Sequence, residues 1–233
     1  MHAYVKETRT FLFAHMVLLC IVLLGFGRTF YLRGLFFKQP LPDALQLHGI
    51  ALTLWFGIVV VQGLLMQTGR RALHARIAWL SIPIVACVVF SGAWVNTRLA
   101  MQLTSARDPE NMFIWANYMS LVSFVMLVAA AVVYRRRLAT HHRLILFASI
   151  AIIGPAFARF AFWPVMGLGL AAAPAFAVGG MLLFVIIAIG YDLIKLRRVQ
   201  AATLAGLAGI FVPLIAGTAL AISGMGFALL HGA

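Results

Sequence analysis

Seven histidines stand in a chain that is otherwise poor in ionisable side chains. Imidazole is the side chain best suited to hold haem iron or a transition metal near neutral pH, and to exchange protons there. His48 opens one apolar run, His74 opens the next, and His141 and His142 open a later one. His15 lies a little over one helical turn into the first run, His231 is near the C-terminus, and His2 is in the N-terminal tail. Depth decides which of these can cooperate. His48 and His74 fall at opposite ends of one run, separated at about 1.5 Å per helical residue by roughly a membrane thickness. They cannot share one iron. His74, His141, His142 and His15 fall at one level on three runs. That level could supply two axial imidazoles to a haem b, or a metal site whose ion the sequence does not name. The opposite level offers only His48 and His231. The plainer reading of any one histidine at a helix mouth is a solvated cap.

Two arginines follow. Arg28 stands after Gly25-Phe26-Gly27, and Arg159 after Gly154-Pro155. Counted from Arg143, Arg159 is about 24 Å along a helical axis, near the membrane boundary opposite Arg143. Arg28, Arg159 and His48 thus share a level and could bind an anionic group such as a haem propionate, a lipid head or an anionic substrate. Snorkelling to the interface is the competing reading. Around His48, the seven-residue spacing of His48, Trp55 and Gln62 puts them near one helical face, a stripe that could line a cofactor slot. Gly49, Thr53 and Gly57 form a small-residue run that would let another helix approach. Asp192 is expected to pair locally with Lys195 or Arg198. No carboxylate falls near mid-membrane, which weakens a proton-coupled transporter. No Walker loop, Rossmann fingerprint, H-E-x-x-H or G-x-S-x-G occurs. Cys20 and Cys87 each lie in an apolar run and read as buried, reduced thiols.

The elements that must carry these residues are set by composition. The chain is 64% hydrophobic and 10% charged, too apolar to cover a water-facing surface. Its 18 Lys and Arg against 5 Asp and Glu would suggest nucleic acid in a soluble protein. Here the bases cluster in short links between apolar runs, so the expected partner is the lipid bilayer and not nucleic acid. Seven runs are long enough to span as helices, approximately 11–30, 47–66, 77–95, 113–134, 144–163, 173–194 and 203–230. The last is long enough to tilt, or to include an interfacial turn at Pro213. The first has Lys6 and Arg9 before it, but Gly25-Phe26-Gly27 makes a poor cleavage site, so it is read as a retained helix. The expected fold is an all-α polytopic bundle of seven transmembrane helices in a single membrane domain, residues 1–233.

Counting bases orients it. Lys6, Arg9, Arg70, Arg71, Arg76, Arg135, Arg136, Arg137, Arg143, Lys195, Arg197 and Arg198 share one side, and Arg28, Arg33, Lys38, Arg98 and Arg107 the other. That asymmetry puts the N-terminus inside and the C-terminus outside, in a bacterial inner membrane. Trp94, Trp115, Tyr118 and Trp163 then fall near outer helix ends, and Trp79, Tyr134 and Tyr191 near inner ones.

The segments Gly27-Arg28-Thr29-Phe30-Tyr31-Leu32-Arg33, Leu47-His48-Gly49, Thr68-Gly69-Arg70 with Leu73-His74, His142-Arg143-Leu144, and Tyr191-Asp192-Leu193 with Arg197-Arg198-Val199 carry a resemblance. Across most of its length the chain resembles an uncharacterised family of bacterial polytopic membrane proteins, which implies a shared fold and no particular activity. Its central helices are also similar to membrane proteins of terminal-oxidase assembly and to transmembrane di-haem cytochromes b. The departure from those cytochromes is that His48 has no strong partner at its own level. The leading expectation is haem-b binding or handling in respiratory redox chemistry or oxidase assembly, with His74 and His142 (or His15) as inner ligands and His48 as a further candidate. A non-catalytic assembly factor or accessory subunit packed on other membrane subunits is the alternative, and a small-solute transporter the third. Whether the chain is an enzyme is left open.

Overall fold

Backbone groups in so apolar a chain must be satisfied internally. In the computed structural model they are satisfied as helix, with no strand among the described residues. The structure describes residues 2–232, with side chains from Glu7 onward; His2 and Lys6 lie outside the described side chains. Helix α1 (His2–Gly25) is followed by a π-helical turn at Gly27–Tyr31 and the short α2 (Arg33–Phe36). Next come α3 (Asp43–Gln67), α4 (Arg71–Ala78), α5 (Ser81–Ala100), α6 (Pro109–Val133) and α7 (Leu138–Ala151). The chain ends with α8 (Gly154–Ala158) and its 3-10 turn Arg159–Phe162, α9 (Ala173–Leu196), α10 (Ala201–Ile222) and α11 (Met225–His231). Six helices are long and apolar enough to cross a membrane, α4 and α5 together making one of them, or seven if the bent α7–α8 pair is one span.

The outward faces carry the same message. Mid-helix Phe13, Phe90, Ile186 and Ile215 are 63–67% exposed. Several helices present such apolar flanks, which water would penalise and lipid would not. The bundle has multi-pass membrane character. Its centre is α7, where Arg143, Leu144 and Leu146 through Ala151 are all buried beneath α1, α6, α9 and α10. Trp55 of α3 fills the middle: its ring stands edge-on to Phe124 at 4.7 Å, and its indole N–H donates to Ser149 Oγ at 3.2 Å.

Several breaks differ from the sequence expectation. The last run does not turn at Pro213, which stays inside α10. It turns after Ser223, at Gly224, whose φ of 74° is a conformation that glycine adopts without steric cost. The fifth run breaks between α7 and α8 with a 45° bend. Pro155 cannot donate the backbone bond that would continue the helix. Gly49, Thr53 and Gly57 do not receive a helix. The ring of Phe30 covers Gly49, nothing lies close to Gly57, and the Tyr31 hydroxyl meets Thr53 Oγ1 at 2.6 Å. Cys20 is exposed and Cys87 only half-buried, so neither is the buried thiol expected; both cysteines are free. Trp115 is buried against Gly226 and is not an exposed interfacial anchor.

The end of the bundle where α1 starts, here the basal end, is tied by one ionic network. Asp192 does not pair with Lys195 or Arg198. Its Oδ1 accepts Arg143 Nη2 at 2.7 Å and Nε at 3.2 Å, while Oδ2 accepts Thr203 Oγ1 at 2.6 Å and the Gln200 amide at 2.9 Å. Arg143 also donates to Glu7 Oε1 at 2.6 Å. Arg143 and Asp192 are 2% and 1% exposed. So deep a guanidinium needs both carboxylates, because an uncompensated buried charge costs several kcal/mol. The network joins α1, α7, α9 and α10. Arg143, which the sequence counts among loop bases, is therefore a structural cation.

Candidate functional sites

Unsatisfied polar atoms mark where a folded chain expects a ligand or water, because burying a donor or acceptor alone costs about 1–3 kcal/mol. Eleven such side-chain atoms occur among the described residues. Nine of them gather at two places, one at each end of the bundle.

At the basal end the orphaned atoms are His15 Nε2, His74 Nδ1, His142 Nδ1 and both amide atoms of Gln62. Four helices deliver the residues. His15 sits on α1, Gln62 on α3, His74 on α4, and His141 and His142 on α7. The rings of His141 and His142 lie 6.0 Å apart. His142 is close enough to His141, His15 and His74 for their charges to interact. Phe11 packs against His142 with ring centroids 5.5 Å apart.

Carbonyls fix two tautomers here. His15 Nδ1 is 2.7 Å from the Phe11 carbonyl, and His141 Nδ1 is 2.8 Å from the Ala131 carbonyl. A carbonyl only accepts, so each Nδ1 carries the proton and each neutral ring keeps a lone pair on Nε2. This is how a ligating imidazole is oriented by its second nitrogen. Among the described residues no three His, Cys, Asp or Glu side chains form a group that could hold a metal ion. Axial haem ligation requires two imidazoles, not three.

The stripe His48–Trp55–Gln62 runs through the interior from one end of the bundle to the other. Its basal member, Gln62, joins the histidines, and Trp55 occupies the core between. His48 sits at the distal end, facing Gly92, with Nδ1 3.0 Å from Ser91 Oγ. Ser91 gives its own hydrogen to the Cys87 carbonyl at 2.6 Å, so His48 Nδ1 is the donor and Nε2 keeps the lone pair. Among the described residues no second imidazole is hydrogen-bonded to it or stacked on it. His231 is engaged with Phe227, its Nδ1 donating to that residue's carbonyl at 3.0 Å.

The distal end also carries a cavity of 310 Å³ lined by Gly25, Arg28, Thr29, Phe37, Arg159, Phe162 and Trp163. Two local irregularities place its arginines. The π-helical turn after α1, with the Leu32 amide bonded to the Gly27 carbonyl at 2.7 Å, sends Phe30 and Tyr31 towards α3 and leaves Arg28 and Thr29 on the cavity. The bend before α8 and the 3-10 turn after it bring in Arg159. Close packing of Gly25 on the Ala156 backbone joins the two pieces. Thus Arg28 and Arg159 do come together, as their shared level suggests, while His48 is held elsewhere, between α3, α5 and α6. Thr29 is a lining residue that sequence reasoning missed. Trp163 was legible only as an interfacial aromatic.

Comparison of the chain with protein-family models, curated proteins and solved structures returned no match.

Proposed function

We propose that this is a seven-span protein of the bacterial inner membrane that binds or handles haem b in respiratory redox chemistry or oxidase assembly, its basal end facing the cytoplasm. The observation that carries the reading is the gathering of His15, His74, His141 and His142 beside Gln62, with five side-chain atoms left unpartnered. His74 and His142 are the proposed axial pair, with His15 as the alternative to either and His48 as a separate candidate at the far end. The donor set fits. His15 Nε2 makes no hydrogen bond, and the Phe11 ring beside His142 supplies an apolar wall. Haem held there would supply one-electron transfer or be passed on as cargo. The chain's own part is to orient His15 and His141 through backbone carbonyls, to leave Nδ1 of His74 and of His142 unpartnered, and to hold α7 in place through Arg143. The excess of basic residues at the basal end supports the orientation.

The test is co-purification from haem-replete cells. The protein is expected to carry a Soret band that sharpens and shifts on reduction, and His74→Ala or His142→Ala should abolish it. A colourless wild type, even from haem-supplemented cultures, rejects the reading.

A further inference from the structure

Two guanidiniums converge on the distal cavity with no carboxylate there to compensate them. The only ion pairs among the described residues are those of Arg143 with Glu7 and Asp192. Arg159 leans on the Phe26 ring, 4.8 Å from guanidinium carbon to centroid. Arg28 rests on Phe36 at 5.2 Å and reaches the Phe162 carbonyl at 3.4 Å. Arg28 Nε, Arg159 Nε, Thr29 Oγ1 and Trp163 Nε1 are all buried without a hydrogen-bond partner. Three of these atoms can only donate, and the hydroxyl can also donate. Four unpaired donors on four residues around one cavity describe a site for an anion.

We propose that this cavity binds a phosphate group. A carboxylate offers two oxygens, both satisfied by a single guanidinium fork. A phosphate is tetrahedral and presents two terminal oxygens in a lipid diester and three or more in a monoester or free phosphate, so donors arriving from several sides can share it. The cavity, 310 Å³ and walled by Phe37 and Phe162, has room for such a group and for the start of whatever it is esterified to. It does not serve as a propionate clamp for a basal haem: Arg28 lies 13 residues beyond His15, about 20 Å along the axis by helical rise. The proposal therefore stands apart from the haem reading. The phosphate can come from a phospholipid head at the membrane surface or from a free phosphate or phosphomonoester.

Fluorotryptophan-labelled protein in a phosphate-free neutral detergent tests this, with the Trp163 ¹⁹F resonance assigned by Trp163→Phe. Inorganic phosphate is titrated in detergent, and phosphatidylglycerol is compared with a phosphate-free glycolipid in nanodiscs. A saturable shift of Trp163 is expected in at least one arm. A shift with inorganic phosphate identifies a free phosphate as sufficient, and a shift confined to phosphatidylglycerol identifies the lipid head. Arg159→Gln and Arg28→Gln should each weaken binding tenfold or more, and the uncharged change Thr29→Val about threefold. No saturable shift in wild type in either arm overturns the proposal. So does wild-type affinity in folded Thr29→Val together with either folded arginine variant.

Discussion

Substituting Asp192 by Asn removes one charge from the Arg143 network and almost no volume. The carboxylate accepts four hydrogen bonds of 2.6–3.2 Å. An amide keeps one acceptor oxygen and turns the other position into a donor, which must then face either the guanidinium or the Gln200 N–H. Removing one member of a buried ion pair costs about 3–5 kcal/mol. Glu7 remains on Arg143 Nη1 at 2.6 Å and is itself 24% exposed, so part of the compensation survives. The expected loss is near the lower end, about 3 kcal/mol, or roughly 150-fold in the unfolding equilibrium. Reversible unfolding in mixed micelles at increasing dodecyl sulfate fraction measures it. The double variant Arg143→Met with Asp192→Leu removes both charges and should lose less than the sum of Arg143→Met and Asp192→Leu made singly by at least ~1.5 kcal/mol. A single variant within about 0.5 kcal/mol of wild type, or strict additivity in the double, would refute the claim that this pair ties the basal end together.

Three further outcomes follow from the packing and the charges. A methyl group on Gly25 would collide with the Ala156 backbone, whereas one on Gly57 would meet open space. Gly25→Ala is therefore expected to destabilise by about 1–3 kcal/mol and Gly57→Ala to lie within about 0.5 kcal/mol of wild type, both read from thermal melts in one detergent. In the link before α6, the Asp108 carboxylate accepts the Thr104 amide at 2.7 Å and the Ser105 amide at 3.0 Å, and these bonds hold its pKa below the ordinary 3.8. A depressed carboxylate stabilises above its unfolded pKa and loses that contribution as pH falls through the folded value. Protection of the Thr104 and Ser105 amides should thus persist at pH 4 and fade only at more acidic pH, while Asp108→Ala should lack it throughout. Finally, Ser91→Ala removes the acceptor that holds the His48 proton on Nδ1. The ¹⁵N shifts of His48 should then move towards a tautomer mixture, with His15 and His141 unchanged.

The apolar runs were legible because crossing lipid demands about twenty residues of one chemical kind, a signal that needs no knowledge of packing. The shared level of His15, His74 and His142 was legible for the same reason: helical rise converts sequence position into depth. Apart from the His48–Trp55–Gln62 face of α3, direction around the helices was not legible, since runs apolar on every side carry little information about which face turns inward. Arg143 illustrates this. Sequence position groups it with the arginines of its link, and only the docking of α1 and α9 on α7 makes it a buried cation. Asp192 likewise passes over its sequence neighbours Lys195 and Arg198 for a partner 49 residues away. The distal cavity depends on a π-helical turn and a bend, features that arise from packing and leave only Gly25, Gly27 and the Gly154-Pro155 pair as traces.

The basal imidazoles are central only if they ligate iron. Hemin titration of purified protein in neutral detergent, followed by visible absorbance and by electron paramagnetic resonance of the ferric form, addresses this most directly. Saturation at one haem per chain with a low-spin bis-imidazole signal is expected, lost in His142→Ala and retained in His48→Ala. Non-saturating uptake, or a spectrum identical in wild type and in a folded variant lacking His15, His74, His141 and His142, would contradict it.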